Sequence, residues 1–145
     1  MEIAWALACR FAEQAPDGTA TLVGAGIDSL FVSETPADVG VFLMMRIAGA
    51  AYEFEEQHTV AVRLVDPERD EHDVLSAAFG PIGEPPPDAQ PGLDVGVLVP
   101  AAIGWTAAHF GLYTLEVLID GRPRRSIPIL VRALPGSAES GAPSS

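Results

Sequence analysis

The sequence predicts an all-β chain, an antiparallel β-sandwich of immunoglobulin-like type with about eight strands. Three observations carry this. Residues 111–131, GLYTLEVLIDGRPRRSIPILV, read as two apolar strands joined at Asp120-Gly121. An Asp-Gly pair between apolar runs suits a type I′ hairpin turn, whose two central residues take positive φ. Tyr113 stands two residues after Gly111, at the start of the first of these strands, where a tyrosine corner sits in immunoglobulin-like folds. Turn signals recur along the rest of the chain, supplied by 13 prolines and 14 glycines, as short strands and turns require.

The elements follow in order. Ile3, Trp5, Leu7, Cys9 and Phe11 alternate with small or charged residues, the period of a strand with one apolar face. Residues 15–18, Ala-Pro-Asp-Gly, form a turn, with proline at its second position. Residues 19–32 read as one strand with a weak spot at Gly24 and Gly26, where a bulge is expected. Residues 33–38 are a loop. Residues 39–49, VGVFLMMRIAG, are apolar at both alternating sets of positions, which suits a strand covered on both sides. Residues 58–66 alternate, with Val60, Val62 and Leu64 inward. Residues 66–73 are a polar hairpin loop and 74–79 the return strand. Residues 80–92 carry five prolines and read as an irregular crossover. Residues 93–99 form a strand, and 100–110 a loop anchored by Trp105. Pro128 lacks an N–H, so the last arm of the closing hairpin is expected at a sheet edge.

The 145 residues suit one domain, residues 1–133, followed by a disordered tail, 134–145. The net charge is −12, with 20 acidic residues against eight basic ones, all arginine. Such acidity argues against nucleic acid as a partner, because contact with phosphates needs a basic face. Cys9 is the only cysteine, so no intrachain disulfide is expected. The N-terminal residues lack the basic and apolar stretches of a signal peptide or membrane span, and a cytoplasmic location without membrane contact is the expectation.

No motif assembles a catalytic site. Gly24-Ala25-Gly26 lacks the third glycine and the following helix of a dinucleotide loop. Asp66, Glu68, Asp70, Glu71 and Asp73 crowd one loop, but their spacing is not that of an EF-hand. His58, His72 and His109 have no partners at metal-binding spacing. Ser29, Ser33 and Ser76 lack a nucleophile-elbow context. Neither cofactor nor metal is therefore expected. Residues 53–73 hold eight acidic residues, whereas the closing hairpin holds Arg122, Arg124, Arg125 and Arg132. Arginines there guard an edge strand against pairing or dock it on an acidic partner.

Residues 16–32, PDGTATLVGAGIDSLFV, preceded by Trp5-Ala6-Leu7 and closed by GLYTLEVLIDG, resemble a family of small bacterial all-β proteins of unknown function. The likeness covers most of residues 2–133 and rests on the LxGAGxD and GxYxxxxxxDG segments. It implies a fold class and a bacterial source but no activity. The loop around Trp105 and His109 is longer than the family pattern.

The functional expectation is a non-catalytic module that binds another protein, through Arg122, Arg124, Arg125 and Arg132 or through Trp105 and His109. A homo-oligomer fits the same reading. Two alternatives stand beside it: a sandwich binding calcium or a small ligand at residues 66–73, and an enzyme subunit whose site is completed at an oligomer interface.

Overall fold

A computed structural model describes residues 1–82 and 94–135. Most of the expected tail and of the proline-rich crossover lies outside the described residues. Among those residues there are ten strands, a single 3-10 turn at Ala51–Phe54 and no α-helix. No helix among them is long and apolar enough to cross a membrane. The strands are β1 (Glu2–Cys9), β2 (Phe11–Gln14), β3 (Ala20–Val23), β4 (Ser29–Val32), β5 (Ala37–Gly49), β6 (His58–Val65), β7 (Glu71–Phe79), β8 (Val95–Ala107), β9 (Gly111–Ile119) and β10 (Arg122–Ala133). They form a three-stranded sheet, β1-β5-β8, a five-stranded sheet, β4-β10-β9-β6-β7, and a β2–β3 hairpin. All pairings are antiparallel except that of β4 with β10. Ten strands replace the expected eight or so, because the first two readings each split. Arg10 separates β1 from β2, and residues 24–28 separate β3 from β4.

The two larger sheets share one core. Val41, Leu43, Met45 and Ile47 of β5 meet Val60, Val62 and Leu64 of β6, Leu115 and Val117 of β9, and Ile129 and Val131 of β10. The opposite face of β5 is also covered: Met44 is fully buried, and β2 packs across β5 and β8. Phe11 meets Phe42 edge to face at 5.5 Å between ring centres. Cys9 is buried as well, and burial pushes its thiol pKa up, which disfavours the thiolate.

The phase of β1 departs from the expectation. The register shifts between Ile3 and Trp5, and beyond such a bulge inward and outward positions exchange. Leu7 is accordingly 38% exposed, while Ala8 is buried.

Residues 100–110 are corrected from loop to strand over most of their length. Ala101, Ile103, Trp105 and Ala107 of β8 are buried, with exposed residues between them. Pro100 is compatible with this because β8 is the outer strand of its sheet, paired only with β5, and an edge strand tolerates a missing N–H. Trp105 is thus a core residue carried by a strand rather than by a loop.

The closing hairpin forms as read. Asp120 and Gly121 have φ of 50° and 79°, and Arg122 faces Ile119 across the two-residue turn. The hydroxyl of Tyr113 donates to the His109 carbonyl at 2.8 Å, fixing the β8–β9 turn to the strand that follows it. Tyr113→Phe leaves that carbonyl without its partner, and a loss of about 1 kcal/mol is expected, read as a lowered urea midpoint at unchanged slope.

Candidate functional site

The arginines of β10 do not form one cluster. Arg122 and Arg124 are exposed near the turn. Arg125 reaches across to the other sheet, where its Nη2 donates to the Ile3 carbonyl at 3.0 Å, at the β1 bulge. Arg132 lies at the far end, its guanidinium 5.8 Å from the centre of the Phe31 ring. The edge expectation holds for the first part of the strand, since β4 pairs only from Leu130 onward. Pro123, Pro128 and a register shift between Pro123 and Arg125 interrupt that open portion, as in edges built to resist pairing.

Trp105 and His109 come together with the acidic loop in a cleft of about 490 Å3 at one end of the sheets, lined also by Leu64, Asp66, His72 and Tyr113. Most of its polar groups are already engaged. Asp66 accepts from the N–H groups of Glu68 and Asp70 through Oδ1, each at 2.9 Å, and pairs through Oδ2 with His72 Nε2 at 3.1 Å. The hydrogen bond with His72 is the main reason its carboxyl pKa is lowered. His109 Nε2 pairs with Glu68 at 3.3 Å. No group of three or more potential metal ligands converges among the described residues. Trp105 Nε1 is the one buried side-chain polar atom there without a hydrogen-bond partner.

A second recess, which no sequence motif marks, lies beside β4. It is a groove of about 810 Å3 lined by Arg10, residues 24–31, Gly40 and Arg132. Gly24 has φ +63°, and a Cβ on it would meet Arg10 Cγ at 2.8 Å. Glycine here lets the Arg10 stem lie across the turn, which holds its guanidinium at the groove. The N–H groups of Gly26 and Ile27 bond the Ala8 carbonyl, so this glycine pair shapes a connection between strands. Neither Arg10 nor Arg132 has a carboxylate within ion-pair distance among the described residues.

His58 occupies a third place, where the chain crosses between sheets. Its Nδ1 lies 2.6 Å from Asp120 Oδ2, its Nε2 faces the Glu53 carbonyl, and its ring stacks on Phe79. Both nitrogens therefore face acceptors, and the imidazolium, which carries two N–H groups, satisfies both. The Asp120 hydrogen bond first, then the Glu53 carbonyl, raises the His58 pKa. With both ring nitrogens engaged, His58 has none left to serve as a general base.

The model of a family described as "Family of unknown function (DUF6941)" matches residues 4–132. No curated protein matches the chain. A solved structure, Pseudomonas fluorescens alkylpurine DNA glycosylase AlkC bound to DNA containing an abasic site analog, shows a weak likeness, with a TM-score of 0.40 and 10% identity. The match covers 73% of this chain and 28% of that one. The exclusion of nucleic acid as a partner is withdrawn in view of this DNA-bound neighbour, whose likeness is too weak to argue for DNA binding here. Net charge is a sum over the chain, whereas phosphate contact depends on local charge, and Arg10 and Arg132 line one groove.

Proposed function

We propose that this protein, which belongs to the DUF6941 family of unknown function, is a non-catalytic protein-interaction module. An exposed apolar patch on the outer face of the five-stranded sheet carries this reading. Ile129 and Val131 point into the core, so Leu130 and Arg132 point outward. Leu130 stands beside Leu112, and Arg132 beside Phe31; Leu112 and Phe31 are 52% and 47% exposed. Contiguous exposed apolar residues edged by polar ones mark interaction surfaces. The engagement of His58, His72 and Asp66 in structural pairs supports a non-catalytic role.

We read the fold as an immunoglobulin-like sandwich. The order β1-β5-β8 against β4-β10-β9-β6-β7 and the corner formed by Tyr113 support this.

The test is affinity capture from native cell extract, with and without a chelator, using the parent protein and a Phe31→Asp/Leu112→Asp variant. The expected result is a stoichiometric partner held by the parent and lost by a variant of unchanged melting temperature. Equal retention by both, or no partner with either, overturns the reading.

A second reading, a small-ligand site in the end cleft, is favoured by the unpartnered Trp105 Nε1 and by a volume within the usual range of ligand pockets. Calcium is a poor occupant, because Asp66 already engages one carboxylate oxygen with its own loop and the other with His72 of β7. Millimolar calcium is expected to leave the melting temperature unchanged; a rise would restore the calcium alternative, since a ligand bound only by the folded state stabilises it.

A further inference from the structure

We infer that β4 is an open docking edge to which an extended, acidic segment of a partner protein adds as a strand, with Arg10 and Arg132 holding its carboxylates. This rests on the interaction reading and names the kind of partner and its mode of binding.

Backbone direction is the first argument. The carbonyls of Asp28 and Val32 accept from Leu130 and Leu134, so backbone groups at these alternate positions face β10. Backbone groups reverse direction from one residue to the next along a strand. The N–H and C=O groups of Ser29 and Phe31 therefore face away from β10, and no strand among the described residues pairs with that side. An unpaired row of this kind is a template for another chain. Unlike the first part of β10, this edge carries no proline and no register shift.

The neighbouring space is the second. Residues 37–41 of β5 pair only with β8, because β1 reaches no further than Phe42. Gly40 lines the same groove as Ser29, Leu30 and Phe31. The recess thus lies between two strand stretches, each lacking a partner on one side. At about 3.3 Å per residue, the four residues of β4 match a short segment of similar length.

Charge is the third. The groove holds two arginines against one carboxylate, Asp28, on a chain of net charge −12. Arg10 is positioned over Gly24 and Arg132 over Phe31, at fixed places along the recess. In strand addition the main-chain bonds supply affinity and the side-chain positions supply selectivity; here two guanidinium groups select carboxylates.

The experiment selects binders from a random twelve-residue peptide library displayed on phage, then measures synthetic copies by fluorescence anisotropy. Enriched peptides are expected to be acidic. Ser29→Pro removes one outward N–H and should weaken them about tenfold, the worth of one such bond. Ser29→Ala, which keeps the N–H, should bind like the parent. Arg10→Ala/Arg132→Ala should weaken binding and flatten its salt dependence, and serves as the deciding variant if Ser29→Pro does not fold. Peptides without acidic enrichment, or binding that survives Ser29→Pro, overturn strand addition while leaving a protein-interaction module in place. Selection of no peptide also overturns it. Binding of a single-stranded oligonucleotide that depends on both arginines but not on the Ser29 N–H overturns the assignment to protein.

Discussion

Trp105→Ala is expected to cost about 3–5 kcal/mol of folding stability, the range for truncating a large buried aromatic residue. Trp105 is 9% exposed, belongs to the shared core and lies 5.8 Å from Tyr113, ring centre to ring centre. Its loss opens a cavity directly behind the corner that fixes the β8–β9 turn. Trp105→Phe should cost less, because it keeps most of the ring volume and discards an N–H that has no partner. Urea unfolding of the three proteins at neutral pH makes the comparison. An alanine variant within about 1 kcal/mol of the parent contradicts the core position, since surface changes have effects of that size.

The same residue shows where the sequence was legible and where it was not. The sequence places Trp105 and His109 on one loop; they line one cleft, but from a strand and from the turn beyond it. Pro100 and Gly104 obscured the alternation of residues 101–107, because both residues usually interrupt strands. They fit here at an outer strand, and pairing with β5 throughout, from Ala37↔Ala107 to Gly49↔Val95, supplied what local preference lacked. Long-range pairing of this sort leaves no local mark. The Asp120-Gly121 turn, by contrast, was readable because positive φ is demanded by two adjacent residues.

The β1 bulge is a sharper case. One extra residue near Ala4 exchanged the faces of Leu7 and Ala8, and no residue type there announces it. Arg125, read as a docking residue, instead donates to the bulged segment from the other sheet. Replacing Arg125 would therefore disturb the junction between the sheets as much as any surface. The Arg10 groove was hidden for a related reason. Gly24 marks a break in the sequence pattern, but the stem it accommodates comes from a residue fourteen positions earlier, a separation that local patterns do not encode.

Stability is expected to be greatest in mildly acidic solution and to fall as the pH rises above 6.5, because of His58. Its pKa is raised from 6.5 in the folded protein, so the folded state holds this proton more tightly than the unfolded chain does. The resulting stabilisation is complete below the unfolded value and is lost as the pH rises through the folded one. The acid side has the opposite sign. Asp120 is lowered from 3.8, first by its hydrogen bond with His58, and Glu53 is lowered from 4.5, first by its bond with the N-terminal ammonium of Met1. Their stabilisation is present above those ordinary values and is lost as the pH falls through the lowered ones. Urea midpoints measured from pH 3 to pH 9 should therefore trace a plateau with two flanks, the bounds set by these carboxyl and imidazole values. His58→Gln should remove most of the alkaline flank and shrink the acid one to the part carried by Glu53, since Asp120 loses its principal partner. Asp120→Asn should reduce both, because Asp120 is the principal partner of His58 and also accepts from the Thr59 N–H at 3.0 Å. An alkaline flank that survives His58→Gln assigns that titration to another group and removes His58 as the link between the 3-10 turn, β6 and the closing hairpin.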